Sequence, residues 1–595
     1  MEIKASSFGI TGNGADETTK VIDLFNNMPN NAIVDFEGMI VTVYVGVSGS
    51  STGDALPLQN IIRIFDKHHL IIKNGTLKAA NPGVSPQKLR YPSTLSIDYC
   101  HNLSFENFNF YGRGESFGDS DASAALSFEQ RRYFIQQNGG AAVTVVKSKE
   151  INFYNCNAYL CGSVGTFYIS SSDKIKLTNC YANPASLGYA AYCHDAWAGP
   201  NYDNKNVFES FFYNCAAYLT SVTGGSSIYC AKCGVLGEDG GVNIQVIGGT
   251  WRDFYANGSD RYLGFAFGAT SCKITVSNAT VDLCDAVLFS GNTSNNPSIV
   301  NASGLVCTRI GRTVVEIDNS SFSSSEVNLT DSVISIVGGR TWPDGPLEQR
   351  VTSVVANRKV ASLVNVTISS CRIIGASLLA INSMAVYGML KTTNSFFSLS
   401  NKILDSKGWG SSSATVPSNR NQGIIIDSDF NVTSTSDTAP LISWTVPSPQ
   451  NVYVRTQIDL SGSSISSISS INRNLLDSTA LTLVDTLTPP RLLIGAYYRC
   501  TNFFQQGMVT MQYVAFMGLA NDLTIARFKL PSNIIPMRLV GVLQKIVGGS
   551  VTSWSVVALK ELVVNDRSTE VDIYIKGTNV PQLTQGDTYK FLELT

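Results

Sequence analysis

Charged side chains are scarce in this sequence. Asp, Glu, Lys and Arg supply 15% of the 595 residues, and the formal net charge is only −2. A chain without a basic excess lacks the electrostatic footprint of a nucleic-acid-binding protein, so we expect no nucleic-acid partner. No apolar run approaches the length of a membrane span, and the start of the chain lacks the basic and apolar regions of a secretion signal. We therefore expect no membrane partner.

A cysteine framework is also missing. The 13 cysteines are an odd number without the close, even spacing of a small disulfide-stapled domain. We expect reduced thiols in a protein assembled in a cytoplasm. Cys230-x-x-Cys233 has the spacing of half a zinc site, but no second pair follows it, and the nearest other ligand phrase is Cys193-His194. We therefore predict no metal ion and no other cofactor.

The sequence has no 3.6-residue apolar stripe and no regular leucine ladder, which excludes helical and leucine-rich repeats. It has one short repeated phrase instead. Residues 151–156 read Ile-Asn-Phe-Tyr-Asn-Cys, and residues 175–180 read Ile-Lys-Leu-Thr-Asn-Cys. Copies begin about 24 to 35 residues apart, with some longer gaps. Related copies stand at 70–75, 103–108, 212–215, 274–279, 315–320 and 366–371.

Each copy predicts a short strand that ends in a sharp turn. Apolar and polar residues alternate as in a strand, and the Asn tolerates the left-handed backbone of a turn. Such repeats bury their apolar faces only by stacking, so the sequence predicts an all-β solenoid, a parallel β-helix. Equivalent cysteines should stack as buried thiols, namely Cys156, Cys180 and Cys215. A later inward position is held by Leu77, Phe110, Ala158, Trp251 and Val281.

Two helices are expected beside the coils. Asp16 can cap a short helix that runs to about Asn27, with Val21, Ile22 and Phe25 on one face. That helix can cover the first coil and shield its open strand edge. A second helix is expected within 121–137.

The pattern divides the chain into three segments. Residues 1–60 are predicted to form the N-terminal cap and first strands, and residues 61–487 the parallel β-helix with its groove. Residues 488–595 follow a Thr-Pro-Pro boundary and alternate strands with turns. We predict that they form an antiparallel β-sandwich.

Residues 12–19, Gly-Asn-Gly-Ala-Asp-Glu-Thr-Thr, resemble the Gly-Asp-Gly-x-x-Asp-Asp-Thr phrase that opens pectate-lyase-like β-helices. Asn13 replaces the first acid of that phrase and Glu17 the last. With its Asn-Cys coils and terminal sandwich, the whole chain is similar to a bacteriophage tailspike, a depolymerase of bacterial surface polysaccharide.

This resemblance implies a right-handed β-helix, a homotrimer, and hydrolysis of a capsule or O-antigen during host adsorption. It also implies a virion tail protein that assembles in the host cytoplasm and acts outside the cell. No virion-attachment domain is visible before Ala5, so we expect contact with the tail or baseplate through a missing or separate anchor.

The long loops over 184–206 and 221–241, with the segment from Trp251 to Tyr262, concentrate the residues that such chemistry needs. Glycosidic hydrolysis uses two carboxyl groups, and equivalent positions on adjacent coils lie about 4.8 Å apart. The catalytic candidates are Asp195, Glu238, Asp239 and Asp253. The substrate-binding candidates are His194, Trp197, Tyr202, Trp251, Arg252, Tyr255, Arg261 and Tyr262.

Other interpretations of these residues stay open. Residues 238–241 read Glu-Asp-Gly-Gly, which would make a tight turn without chemistry. A polysaccharide lyase would use His194 or a tyrosine as base, with Arg252 or Arg261 neutralising a uronate. A non-enzymatic adhesin would hold sugars with aromatic and amide side chains and would lack a close carboxylate pair.

Overall fold

The computed structural model describes part of the chain, and every structural statement below concerns that part. The described residues are 1–44, 62–80, 93–112, 141–161, 165–184, 189–194, 207–218, 233–254, 264–292, 296–319, 325–337, 353–357, 362–380, 386–387, 389–405, 423–432, 442–443, 451–459, 482–485, 491–499, 509–520, 523–529, 541–547, 550–559, 570–576 and 588–593. The expected helix within 121–137 lies outside them. None of the described helices is long and apolar enough to cross a membrane.

The described chain is almost entirely β-structure. Its early elements are β1 (Glu2–Lys4), a 3₁₀ helix (Ala5–Phe8), α1 (Thr18–Asn27), β2 (Ile33–Asp35), β3 (Ile40–Tyr44), β4 (Arg63–Phe65), β5 (His68–Ala80), β6 (Ser93–Asp98), β7 (His101–Tyr111), β8 (Ala141–Val146), β9 (Lys149–Tyr154), β10 (Asn157–Cys161), β11 (Phe167–Ser170), β12 (Ile175–Thr178), β13 (Tyr181–Pro184), β14 (Tyr189–His194), β15 (Phe208–Tyr213), β16 (Ala216–Ala217), β17 (Cys233–Glu238), β18 (Val242–Ile247), β19 (Thr250–Phe254), β20 (Phe265–Thr270), β21 (Lys273–Ser277) and β22 (Thr280–Cys284).

The later elements are all strands. They are β23 (Ala286–Asn292), β24 (Ile299–Ser303), β25 (Val306–Ile310), β26 (Thr313–Asn319), β27 (Ser325–Thr330), β28 (Val333–Ile336), β29 (Ser353–Asn357), β30 (Ser362–Ser369), β31 (Arg372–Ala380), β32 (Val386–Tyr387), β33 (Met389–Asp405), β34 (Gly423–Val432), β35 (Ile442–Ser443), β36 (Asn451–Asp459), β37 (Thr482–Asp485), β38 (Arg491–Arg499), β39 (Val509–Ala520), β40 (Leu523–Lys529), β41 (Gly541–Val547), β42 (Ser550–Leu559), β43 (Glu570–Lys576) and β44 (Thr588–Glu593).

The chain forms two compact units, residues 1–327 with 332–350 and residues 328–331 with 351–595. The first unit is a parallel β-helix, as predicted. From β8 to β25 each coil contributes three strands, and each strand pairs in parallel with the strand three positions later. In the coil that begins at β17, for example, β17 pairs with β20, β18 with β21 and β19 with β22. Inward side chains fill the core, including Phe153, Leu177 and Val276.

The repeated Asn marks a left-handed turn in successive coils. Its φ is 55° at Asn74, 52° at Asn155 and at Asn179, and 54° at Asn278. The coil between Cys215 and Ala279 instead has two glycines at this turn, Gly248 and Gly249. A Cβ at Gly249 would lie 1.9 Å from the carbonyl oxygen of Cys215, so no larger residue fits there. The predicted turn chemistry is therefore confirmed.

The cysteines that follow these turns lie in the core as free thiols. Cys156, Cys180 and Cys215 are all less than 5% exposed. Each donates its S–H to a carbonyl of the preceding coil at 3.4 to 3.5 Å. Burial raises the pKa of Cys180 above its ordinary value, so this thiol stays protonated. The predicted stack of small buried thiols is confirmed.

The predicted helix at the start of the chain is present as α1. Asp16 lies just before it, and its Oδ1 accepts hydrogen bonds from the backbone N–H and hydroxyl of Thr18 at 2.9 and 2.6 Å. The buried face consists of Val21, Leu24 and Phe25. Leu24 rather than Ile22 completes that face, since Ile22 is only half-buried.

Glu17, directly before α1, is a buried anion with several donors. Its carboxylate accepts the backbone N–H groups of Thr11 and Gly12 at 2.7 and 2.9 Å and the Thr11 hydroxyl at 2.9 Å. Lys20 Nζ lies 3.3 Å away. Burial alone would raise the pKa of Glu17, but these donors outweigh burial and lower it. The carboxylate therefore fixes the chain just before the helix.

We expect Glu17→Gln to lower the free energy of unfolding of the N-terminal segment around α1 by about 1–3 kcal/mol near neutral pH. The reason is that an amide accepts fewer hydrogen bonds from these donors than a carboxylate does. Since the folded pKa is lowered, the Glu17 contribution is present above its ordinary pKa and is lost as pH falls through the folded value. Denaturation midpoints of both proteins measured against pH should converge in acid. Asp23→Asn, on the exposed side of α1, is the control. Equal losses of stability in both variants would contradict the stabilising role assigned to the Glu17 carboxylate.

The second unit begins with parallel strands. β30 pairs with β33, β33 with β34, and β34 with β36. The strands after β36 are antiparallel, as predicted for the C-terminal part, but β38 pairs with β36 rather than with later strands. Strands β39 to β44 close into an antiparallel barrel, because β44 pairs with both β39 and β41. The closed ring, rather than two packed sheets, leaves this part without an edge strand. A domain boundary at residue 488 stays a prediction.

Candidate functional site

The outer face of β11, β14 and β17 holds a compact group of polar aromatic side chains. Tyr168 and Tyr192 stand opposite each other in register, as do Ile169 and Cys193. Ile169 and Cys193 face the core, where each is 2% exposed. Because side chains alternate along a strand, Tyr168, Tyr192 and the later His194 lie on the outer face.

Glu238 reaches the same face from the next coil. Cys193 and Gly237 are in register, so the residues that follow them, His194 and Glu238, end neighbouring strands side by side. A Cβ on Gly237 would meet Cys272 Sγ and Ile244 inside the coil. Glu238 therefore points outward, and its side chain is half-buried.

Hydrogen bonds and ring contacts join these residues into what we call the tyrosine–glutamate cluster. The hydroxyl of Tyr192 donates to Oε2 of Glu238, and Tyr168 Oη hydrogen-bonds to His194 Nε2. The Tyr192 and His194 rings stack with centroids 4.9 Å apart, and Tyr189 stacks on Tyr192 at 5.3 Å. The cluster consists of Tyr168, Tyr189, Tyr192, His194 and Glu238.

Burial sets the protonation of the cluster. It lowers the pKa of His194 to about 3, so this imidazole is neutral at physiological pH. Burial, followed by the charge and hydrogen bond of Glu238, raises the pKa of Tyr192 far above its ordinary value. Tyr192 therefore remains a proton donor to the carboxylate. The cluster fixes one oriented carboxylate among neutral hydrogen-bonding groups and rings.

Asp239 lies in a turn. A tight turn at residues 238–241 was the non-catalytic alternative drawn from the sequence. The φ of Asp239 is 80°, and its carbonyl accepts a hydrogen bond from the N–H of Val242 at 3.2 Å. The backbone N–H of Asp239 donates to Thr270 at 2.9 Å. The residue thus has a clear role in the turn between β17 and β18, next to Glu238.

Asp253 and Arg252 are on β19, whereas Glu238 ends β17 in a different sheet of the same coil. Arg252 Nε lies 3.2 Å from Oδ2 of Asp253. Arg252 is also in register with Asp282 of the next coil. Arg309 Nε donates to Asp282 at 2.8 Å, which makes this an ion-pair group separate from the tyrosine–glutamate cluster.

Trp251 was expected to bind substrate, and that expectation is wrong. Its side chain is only 2% exposed and packs against Phe267 at 5.4 Å between ring centroids. It is in register with Val281, another core residue. A ring in this inward position cannot stack on a sugar.

The remaining candidates lie outside the described residues and stay predictions: Asp195, Trp197, Tyr202, Tyr255, Arg261 and Tyr262. The sequence interpretation missed Tyr168, Tyr189 and Tyr192. The signal for Tyr168 and Tyr192 was the alternation in Phe-Tyr-Ile-Ser (167–170) and Tyr-Cys-His (192–194), which puts polar rings opposite inward apolar residues. Strict alternation does not place Tyr189, three positions before Tyr192, on the same face.

No protein-family model matches the sequence, and no curated protein matches it. Among solved structures, a tailspike protein of E. coli bacteriophage HK620 in complex with a hexasaccharide is 9% identical, with a TM-score of 0.43; the match covers 100% of this chain and 93% of that one. A Thermotoga maritima exopolygalacturonase is 10% identical, with a TM-score of 0.35, over 77% of this chain and 90% of that one. PfbA, a surface adhesin of Streptococcus pneumoniae, is 10% identical, with a TM-score of 0.31, over 77% and 89%. All three scores are low, and none assigns a role to a residue of this chain.

Proposed function

We propose that this protein binds a bacterial surface polysaccharide, a capsule or an O-antigen, and hydrolyses its glycosidic bonds. The observation that supports a site is the half-buried carboxylate of Glu238, hydrogen-bonded by Tyr192 beside the neutral His194. The substrate class comes from the resemblance of the sequence to tailspike depolymerases.

Glycosidic hydrolysis requires a carboxylic acid that protonates the leaving oxygen and a second carboxylate that acts as base or nucleophile. Glu238 is our candidate for one of these roles, because it ends its strand on the outer face and is held in one orientation by Tyr192. The second group is proposed among Asp195, Asp239 and Asp253. Asp195 is favoured, since it directly follows His194, which lies beside Glu238 on the neighbouring strand.

The aromatic members of the cluster suit sugar binding. Tyr189 and Tyr192 are stacked with only 23° between their planes and are both partly exposed. Rings of this kind offer apolar faces to the C–H groups of a sugar, while their hydroxyls serve its polar edge. The neutral His194 adds no positive charge to attract an acidic substrate at this point.

The lyase alternative has less support. It pairs a base, His194 or a tyrosine, with an arginine that neutralises a uronate. Arg252 lies on a different sheet from His194 and is paired with Asp253. A pKa of about 3 makes His194 a poor base near neutral pH.

Purified protein should be incubated with a panel of capsular and O-antigen polysaccharides. Hydrolysis releases reducing ends without new ultraviolet absorbance, whereas β-elimination gives an absorbing unsaturated product. We expect reducing ends alone, from at least one acidic or neutral polysaccharide. Unsaturated products would replace hydrolysis with the lyase mechanism. Binding without any cleavage would support the adhesin alternative.

We also propose that the protein is a homotrimer within a virion tail, from the same resemblance. Light scattering on the purified chain should give three times the 64.1 kDa chain mass. A monomer mass at micromolar concentration would contradict this proposal. Deleting residues 488–595 tests whether the C-terminal segment holds the subunits together.

A further inference from the structure

A polar groove lies on another part of the first unit, on the outer face of β7, β9, β12 and β15. Its cavity volume is about 400 Å³. These strands belong to a different sheet from β11, β14 and β17, which hold the tyrosine–glutamate cluster. The groove is lined by Asn102, Glu150, Asn152, Lys174, Lys176, Glu209, Phe211 and Tyr213.

Two parallel aromatic rings line this groove. Phe211 and Tyr213 alternate outward along β15, and their planes are within 2° of parallel, with centroids 6.3 Å apart. The ammonium group of Lys176 lies 5.1 Å from the centroid of Tyr213. Parallel aromatic rings with an ammonium group over one of them are suited to a sugar ring that has a negative substituent.

The register places three different functional groups next to one another. Lys176 stands opposite Asn152 on one side and Phe211 on the other. An amide, an ammonium and an aromatic ring therefore lie side by side across three adjacent coils, about 4.8 Å apart. The amide can exchange hydrogen bonds with sugar hydroxyls, and the ammonium can donate to a carboxylate.

The groove lining contains two lysines and two glutamates, and only some of these charges are paired among the described residues. Lys174 is paired with Glu150 at 3.3 Å, and Glu209 accepts a hydrogen bond from the side chain of Asn243 at 3.4 Å. Among the described residues, Lys176 has no carboxylate at ion-pair distance and contacts the Tyr213 ring instead. Its ammonium is the cation available to a ligand.

We propose that this groove is a second glycan-binding site, which takes an acidic sugar of the polysaccharide. The sugar ring lies on Phe211 and Tyr213, its carboxylate is bound by Lys176, and its hydroxyls are bound by Asn152. The inference rests on the proposed function for the class of ligand. A site on another face of the coils would keep a long polymer attached while the tyrosine–glutamate cluster acts on it, which raises its effective concentration.

The test uses the full-length protein and immobilised bacterial polysaccharides, half with a uronate and half neutral. We expect wild-type protein to favour the acidic glycans. Lys176→Gln should weaken that binding by roughly 3- to 10-fold, the range for an exposed charge-assisted contact. Phe211→Ala should weaken it by a similar factor. Lys273→Gln, an exposed lysine on β21 of the same sheet, is the matched control and should bind as wild type.

The outcomes separate this site from the proposed function. Both proposals stand if two results are obtained. Glu238→Gln loses hydrolysis but keeps the preference for acidic glycans, and Lys176→Gln lowers that preference. If Lys176→Gln binds acidic glycans as wild type does, or if the preference is for neutral glycans, the groove proposal is overturned while hydrolysis stands. An altered mass of the Lys176 variant in light scattering would assign the groove to subunit contact and also overturn the proposal.

Discussion

Glu238→Gln is expected to lower polysaccharide hydrolysis about 10²- to 10⁴-fold, the usual contribution of a general acid or base. The amide keeps the size of the side chain and can still accept the hydrogen bond of Tyr192. It cannot donate an acidic proton or take one up, so the loss should fall on kcat rather than on binding. The measurement is the rate of reducing-end release from the cognate polysaccharide, with binding followed separately.

Glu326→Gln is the matched control, because Glu326 is an exposed carboxylate on β27 of the same β-helix. It should hydrolyse at the wild-type rate. The same assay should include Asp195→Asn, Asp239→Asn and Asp253→Asn. The second catalytic carboxylate is the one whose substitution lowers the rate of hydrolysis as much as Glu238→Gln does. Near-wild-type rates in all four variants with unchanged melting would place the chemistry elsewhere, for example between subunits.

The coil architecture could be predicted because its signal is local and repeated. An Asn at a left-handed turn and a small residue after it occupy the same place in many coils, as at Asn155 and Cys156. Each copy confirms the others. The C-terminal barrel could not be distinguished from a sandwich, because closure depends on the pairing of β39 with β44, whose sequences are far apart in the chain.

The candidate site could be predicted only in part. Composition of the segments predicted as loops drew attention to Glu238 and His194, and the structure places both at the ends of adjacent strands, not in loops. Composition was misleading for Trp251. Its place in the repeat already indicated an inward ring, because the matching residue of the next coil is Val281. Inward or outward direction changes with a shift of one residue, so the repeat position is better evidence than the chemical type of the side chain.

The sequence also could not show which candidate residues lie on the same face of a coil. Glu238 and Asp253 are only 15 positions apart in the sequence, yet they lie on strands of different sheets. Asp253 lies at ion-pair distance from Arg252, in a group that also includes Arg309 and Asp282. Spacing along the chain cannot show this, because one coil turns through all of its faces within that length.

Acid is expected to destabilise the first unit strongly through His194. The unfolded imidazole takes up a proton near its ordinary pKa of about 6.5, whereas burial lowers the folded pKa to about 3. Between these values the unfolded state binds the extra proton, so stability falls as pH falls, by about 1.4 kcal/mol per pH unit. The full difference reaches about 5 kcal/mol at the acid end of this window.

His194→Gln removes the titrating group and keeps a side chain that can hydrogen-bond to Tyr168. Denaturation midpoints should therefore fall less steeply with acid in this variant than in wild type, whatever the difference between them near neutral pH. Thr280→Ser, at an exposed residue without a titratable group, is the control and should preserve the wild-type slope. Parallel curves for His194→Gln and wild type between about pH 6.5 and pH 4 would show that this imidazole is not held neutral by burial. The steeper wild-type curve would instead establish a closely packed cluster around Glu238, the environment on which its catalytic assignment depends.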